Sequence, residues 1–480
     1  MDPQVSRNLW RAFHPRAVAV VGDKQATGYM WLKALKGFQG PLFSVQVDPR
    51  ELPGIEALQV PNYTRLQEVP EAVDYVMAAV PRAVAPRIMA DCIEKDVGGV
   101  SFFTGGFAES GEEEGIRLQE ALAEMARSSK VALIGPNCVG IYNPRLGLRQ
   151  SPEQTADGGP VGFISQSGTH CTRFTLAGPV HGVGISKAVS FGNGAALEAA
   201  DYLELLAQDP ETRVIAMYVE GVRDGRRFFR LLRETTPQKP VVIWKGGQTE
   251  AGGRAAASHT AALAMAPPVW QAAIAQAGAI SADSLEEAID ITKALLYLKP
   301  SSGPRVALLA MTGGQSVAIG DAFAAAGLSV PPFSDASYAR LAAFFITLGG
   351  SYRNPIDAAG TVMGGWGGDP QNLHHILEVL GDDESTDALV LELNLMLNGR
   401  RWQREPEILQ KILDDLAAFR EDCPKPFLIV AQPVQHEELA TQVREQAARR
   451  GIPAFAGFHQ AARALRKVVD YYRFRSEVGP

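Results

Sequence analysis

The chain has 480 residues, of which 46% are hydrophobic and 21% charged, and its net charge of −7 is spread along its length. Such a length exceeds one ordinary core and leads to an expectation of about three domains, while so modest an acidity gives no reason to expect nucleic acid or an anionic membrane as partner. No basic-then-apolar leader and no apolar span of membrane length is present, and Cys92, Cys138, Cys171 and Cys423 lack paired spacing. The expectation is a soluble, cytoplasmic protein with reduced thiols, no metal site and no disulfide framework.

From about Ala17 to Pro144 the chain alternates Val-rich runs with amphipathic stretches: 17–22, 42–47, 75–80, 99–103 and 131–134. Apolar runs without period-two alternation predict strands covered on both faces, hence a parallel doubly wound sheet. The first turn, Gly22 to Gly28, opens a helix, so its backbone N–H groups are candidates to hold a phosphate. Val80-Pro81, Thr104-Gly105 and the turn 135–140 each follow a strand on the same sheet edge, which predicts a crevice for a nucleotide-like ligand. Arg50 stands after the second strand, where a dinucleotide domain commonly carries an acid, and points to a phosphorylated ribose.

Residues 145–160 read as a linker, after which strands are predicted at 161–164, 184–190, 214–219 and 241–244. A second linker at 299–304 leads to a third α/β segment, which closes in an amphipathic helix around Ala462 to Asp470. The later segments follow one plan, with 163–168 answered by 309–314, 214–219 by 388–393 and 240–244 by 426–430. That order predicts a duplicated flavodoxin-like unit.

The chemistry is expected around residues 254–264, where one histidine sits among small residues. His259 can accept a phosphoryl group or a proton in neutral water, and it is expected on a loop past the strand ending near Trp244. Ser165 to Thr169 brings hydroxyls, a glycine and helix N-terminal amides to a second anion site. Glu220, after the strand 214–219, is placed to hydrogen-bond one imidazole nitrogen and leave the other as nucleophile.

The segments 135–144, 164–168, 190–193, 218–221, 245–250 and 255–260 resemble the signature segments of NDP-forming (ADP-forming) acyl-CoA synthetases, the relatives of succinyl-CoA synthetase, in order from about residue 15 to about 470. What the resemblance implies is a Rossmann-like CoA-binding domain over 1–145, a flavodoxin-like CoA-ligase domain over 158–300 that carries a phosphohistidine, and a second flavodoxin-like CoA-ligase domain over 304–480. In this family phosphate cleaves an acyl-CoA to an acyl phosphate, the phosphoryl group moves to the histidine, and an ATP-grasp domain passes it to ADP. His259 matches the phosphorylated position and Glu220 the glutamate that supports it; Gln166, Ser167, Gly168 and Thr169 match the phosphate-holding helix start. Coenzyme A would then meet the crevice residues Gly22, Lys24, Gly28, Arg50, Val80, Pro81, Thr104, Gly105, Asn137 and Cys138.

Two departures accompany the resemblance. Ala261 and Ala262 stand where the family commonly has Gly-Ser, with Met265 where a glycine is usual, and Asp23-Lys24-Gln25 replaces a small Ala-Ser pair. Nothing after Arg305 reads as an ATP-grasp domain, so the resemblance implies an α-type subunit in a hetero-oligomer, with ADP or ATP and Mg2+ on a separate β-type chain and an acyl-CoA or carboxylic acid as substrate. The alternatives are a non-catalytic CoA- or acyl-CoA-binding protein on the same scaffold and a nicotinamide oxidoreductase. The second of these lacks both GxGxxG and an acid after the second strand.

Overall fold

The computed structural model describes residues 1–260, 267–363 and 368–479, with the side chains of 256–260 outside the description. Two compact units are formed, Met1–Pro179 with Val183–Ala288, and Val180–Gly182 with Ile289–Pro480. Among the described residues no helix is long and apolar enough to cross a membrane, and all four cysteines are buried free thiols.

The first unit contains two sheets. β1 (Val18–Val21), β2 (Leu42–Val45), β3 (Asn62–Tyr63), β4 (Tyr75–Ala78), β5 (Gly99–Phe102) and β6 (Ala132–Ile134) form a parallel sheet in the order β3-β2-β1-β4-β5-β6. This is the strand order of dinucleotide-binding folds. Successive β1 side chains serve opposite cores: Val18 and Val20 join one apolar cluster and Ala19 and Val21 the other. Burial on both faces is why these runs lack polar alternation.

The second sheet comprises β7 (Gly140–Tyr142), β8 (Val161–Ser165), β9 (Ile185–Ser190), β10 (Val214–Val219), β11 (Val241–Lys245) and β12 (Ile280–Ala282), in the order β12-β11-β10-β8-β9-β7. β7 was not expected. It runs antiparallel to β9, pairing Gly140 with Ser190 and Tyr142 with Ala188, so the chain enters the second sheet before the segment read as a linker. That segment is itself partly interior. Gln150 and Gln154 are buried, with Gln154 Nε2 donating to Thr175 Oγ1 at 2.6 Å and its Oε1 accepting from Gln150 N at 2.8 Å. A primary amide can both donate and accept, so it satisfies buried polar partners that an apolar side chain would leave unpaired.

β9 also carries Lys187, which is fully buried; its Nζ lies 3.0 Å from Asp209 Oδ2 and 2.6 Å from Glu211 Oε2. Burial and the loss of hydration would be costly for that ammonium without these two carboxylates.

In the second unit β13 (Val306–Ala310), β14 (Ile356–Asp357), β15 (Ala388–Glu392), β16 (Phe427–Val430) and β17 (Ala454–Phe455) pair in parallel in the order β14-β13-β15-β16-β17. Without β7 the second sheet reads β9-β8-β10-β11-β12, the same permutation, and it is the flavodoxin-like one. The expected equivalences fall on matching strands: β8 with β13, β10 with β15, β11 with β16. The final helix, Phe458–Val478, is longer than the stretch read from the sequence.

Candidate functional site

At the carboxyl edge of the first sheet the structure lines up Gly22, Val80, Thr104, Gly105 and Asn137 along β1, β4, β5 and β6. Gly22 has φ +81°, and a Cβ there would fall 2.7 Å from Val80 Cγ1 and 3.0 Å from Ala79 O. Only glycine allows that approach. Thr104 donates its hydroxyl to Val80 O, Asn137 N donates to Thr104 O at 3.1 Å, and a Cβ on Gly105 would meet Asn137 Oδ1 at 3.2 Å. Pro81 and Gly105 are exposed on this edge.

The turn after β1 departs from expectation. Asp23 is buried, with Oδ2 accepting from Trp31 N at 3.0 Å and Leu32 N at 2.9 Å, and Oδ1 accepting from Lys24 N and Thr27 Oγ1, both at 3.0 Å. Burial pushes its carboxyl up while these four bonds pull it down. Gln25 N donates to Glu51 Oε2 at 2.7 Å. The protein's own carboxylates therefore occupy amides that were expected to be open to a phosphate. Lys24 and Gly28 are exposed beside the turn. Arg50 is fastened to Asp48, with Nη2 2.6 Å from Oδ2, and this partner holds Asp48 down at about 2. Cys138 does not face the crevice: its side chain is buried, its thiol donates to Ile134 O at 3.4 Å, and burial pushes it up to about 12.

The first crevice is laced to the second sheet. Asn193 N donates to Pro136 O at 3.0 Å and Ala195 N to Gly135 O at 2.9 Å. Asn193 Nδ2 also donates to Gln119 Oε1 at 2.8 Å and to Glu109 Oε2, while Val139 N reaches Ser190 Oγ at 3.4 Å. Glu109 and Gln119 carried no local signal in the sequence.

Next along this rim, β8 ends in Ser165 and the helix Gly168–Val180 begins. Two of the four expected phosphate residues build the turn instead. Gln166, buried, accepts through Oε1 from Glu220 N at 2.8 Å and Gly221 N at 3.2 Å, and Ser167 Oγ caps the helix by accepting from His170 N at 3.3 Å. The amides of Gly168 and Thr169 meet no acceptor among the described residues. Two open donors at the positive end of a thirteen-residue helix have the chemistry to receive an anion.

Glu220 follows β10, and β10 pairs directly with β11. Its Oε1 accepts from Tyr218 OH at 3.1 Å, and its Oε2 is buried without a partner among the described residues. Lys245 Nζ donates to Glu220 O at 2.8 Å and to Gly246 O; burial lowers that ammonium against the pull of Glu220. Tyr218, Trp244 and His170 pack edge to face or tilted around one point, with ring centroids 4.4 to 4.6 Å apart. Burial and then the Glu220 carboxylate hold the Tyr218 phenol above its ordinary value, so it remains a donor. Burial also lowers His170. Tyr218 near the end of β10 and Glu220 just past it lie two apart, the spacing that brings alternate side chains to one side of extended chain, and that spacing is legible in the sequence.

His259 is not on a loop. Its backbone belongs to the helix Glu250–Thr260, because an alanine-rich run has high helix propensity and Thr249 Oγ1 caps the start by accepting from Gly252 N at 3.0 Å. Nine residues of helical rise carry it about 13 Å along the axis from the helix start. The helix lies against the turn Ala108–Ser110 of the first sheet. The His259 side chain and the residues Ala261, Ala262 and Met265 lie outside the described residues.

Residues 16–144 match a family described as a CoA binding domain, and residues 158–295 one described as a succinyl-CoA ligase like flavodoxin domain. The chain is 30% identical over 479 residues to acetate–CoA ligase (ADP-forming) I subunit alpha of Pyrococcus furiosus, across 98% of this chain and 99% of that relative. It is 35% identical over 384 residues to acetate–CoA ligase (ADP-forming) I of Archaeoglobus fulgidus, across 79% of this chain and 54% of the relative, so it spans about half the length of that protein. A solved structure of the dinucleotide forming acetyl-coenzyme A synthetase 1 of Candidatus Korarchaeum cryptofilum, in complex with phosphate and ADP, superposes with a TM-score of 0.82 at 29% identity over 98% of each chain.

Proposed function

The chain belongs to the ADP-forming acyl-CoA synthetase family, and from that premise we propose that it is an α-type subunit working with a separate ATP-grasp β-type chain. Together they interconvert acyl-CoA, phosphate and ADP with a carboxylic acid, CoA and ATP. Its parts divide as a CoA-binding domain over 1–145 and CoA-ligase domains over 158–300 and 304–480, in a cytoplasmic hetero-oligomer.

Phosphate sits on the open amides of Gly168 and Thr169, where the helix end favours an anion. A phosphate oxygen attacks the thioester carbon, the C–S bond breaks and CoA leaves as the thiol. A ring nitrogen of His259 then takes the phosphoryl group as the carboxylic acid departs, and the phosphoryl group passes to ADP with Mg2+ on the β-type chain. Positioning and fixed dipoles supply most of what such transfers need. Glu220 accepts the other imidazole N–H and steadies the positive charge that develops on the ring.

For CoA, the fitting residues are Gly22, Val80, Pro81, Thr104, Gly105 and Asn137, whose close backbone approaches leave a polar edge. The amides of Lys24, Gln25, Trp31 and Leu32 do not fit a phosphate of CoA, since Asp23 and Glu51 already accept from them. Lys24 remains free to reach an anion from the surface, and Arg50 can do so by leaving Asp48.

The observation that carries the proposal is that Glu220, whose Oε2 has no partner among the described residues, is tied through its backbone N–H to Gln166, two residues before the open helix amides. To test it, the chain is incubated with a cognate ATP-grasp chain and labelled ATP. Acid-labile, base-stable label on the wild type and none on His259→Ala is expected; an unlabelled wild type, or a labelled variant, refutes it.

A further inference from the structure

Resting on the phosphohistidine reading, we infer that Tyr218 is a positioning residue for the phosphoryl-accepting step, pinning one oxygen of Glu220 so that the other is presented to the imidazole. Three observations converge on it. The Tyr218 hydroxyl donates to Glu220 Oε1 at 3.1 Å, while Oε2 is buried and has no partner among the described residues. A buried carboxylate oxygen without a donor is costly, and a single N–H would satisfy it.

The phenol is itself immobilised. Tyr218 is 7% exposed, its Cα partner across the sheet is Trp244, and His170 closes the third side, with centroids 4.4 Å from both rings. Finally, the neighbouring strand end is cleared for this pair. A Cβ on Gly246 would fall 2.6 Å from the Tyr218 hydroxyl oxygen and 3.2 Å from Glu220 Cγ. Gly246 does not have a positive φ, so glycine is needed there for space rather than for backbone conformation.

In the transfer, the P–O bond to the acyl group breaks, the N–P bond forms at one ring nitrogen, and the proton on the other nitrogen stays hydrogen-bonded to Oε2. Tyr218 touches neither reactant. It sets the carboxylate's rotation, and with it the geometry of the ring.

The test follows label from inorganic [32P]phosphate into the full chain, using whichever of acetyl-CoA, 4-hydroxybutyryl-CoA and feruloyl-CoA labels the wild type fastest. Tyr218→Phe should label about tenfold more slowly at saturating acyl-CoA, the effect of one hydrogen bond to a charged group. The half-saturating acyl-CoA and phosphate concentrations should not change, while the unfolding midpoint should fall slightly, since Glu220 Oε1 loses its donor. In a Glu220→Ala background the same change should cost less than twofold, because its effect runs through that carboxylate. Gly246→Ala should slow labelling comparably, and adding it to Tyr218→Phe should cost little more. Wild-type rates for Tyr218→Phe or Gly246→Ala, or an equal loss with and without Glu220, would overturn the inference. A wild type that takes no label from any donor rejects the phosphohistidine reading itself, a result distinct from a labelled wild type indifferent to Tyr218.

Discussion

Gln166 offers the sharpest separation of architecture from chemistry. Its Oε1 is the acceptor for two amides beyond β10, Glu220 N and Gly221 N, at 2.8 and 3.2 Å. Gln166→Ala leaves both without an acceptor in a half-buried place, at about 1 kcal/mol each, so the first unit should lose about 2 kcal/mol. At 2 to 4 °C per kcal/mol for a body of this size, the midpoint should fall by about 6 °C. Gln166→Glu keeps an oxygen for both amides and should unfold within about 1 kcal/mol of wild type. It also sets a negative charge two residues before the open amides of Gly168 and Thr169. A like charge about 6 Å from a bound anion costs about 3 kcal/mol at an effective dielectric near 20, on the order of a hundredfold in phosphate affinity. Thermal unfolding and the phosphate dependence of His259 labelling measure the two effects separately. A Gln166→Ala protein as stable as wild type, or a Gln166→Glu protein with unchanged phosphate dependence, would refute the assignment of Gln166 and of the anion site.

The buried Lys187 should prove intolerant of losing its charge alone. Lys187→Met strands Asp209 and half-exposed Glu211 and should cost about 3–5 kcal/mol in denaturant unfolding, whereas Lys187→Met with Asp209→Asn should recover part of that loss. In the second unit Asp383 is 2% exposed. Although burial pushes its carboxyl up, hydrogen bonds from Ser334, Ser337 and Ser385 outweigh that and hold it at about 2, below the ordinary 3.8. Its folded value is depressed, so its contribution is present above about pH 4 and lost as pH falls toward 2. At 1.36 kcal/mol per pH unit this amounts to about 2 kcal/mol. Asp383→Asn should therefore destabilise the unit at pH 6 and have little effect near pH 2. A stability difference independent of pH would exclude the carboxylate as its source.

Much of the architecture was legible because it depends on short-range patterns. Val18, Ala19, Val20 and Val21 are all apolar because each face of β1 is covered, and any strand so placed must read that way. The repeated order of strand, small polar turn and helix at 163–168 and 309–314 is local too, and both sheets have the same permutation. Ser165 to Thr169 could be recognised as a helix start, since hydroxyls and glycine mark such turns wherever they occur.

What the sequence by itself determined, then, was most of the central strands, their order and the residue types capable of chemistry, but not the short strands β3, β7, β12, β14 and β17 or the helical setting of His259. Which atoms are free to act was decided by tertiary structure, since that depends on partners remote in the chain. Asp23 takes the amides of Trp31 and Leu32 because the turn after β1 folds back on the following helix. Gln166 spends its amide oxygen 54 residues away because β8 and β10 are neighbours. Tyr218 and Glu220 lie two apart in sequence, yet the phenol is held against one carboxylate oxygen because Trp244 and His170 pack on its ring and the bare Gly246 leaves room for both side chains. A hydrogen-bonding group has a fixed capacity, and only the assembled fold reveals whether that capacity has already been used.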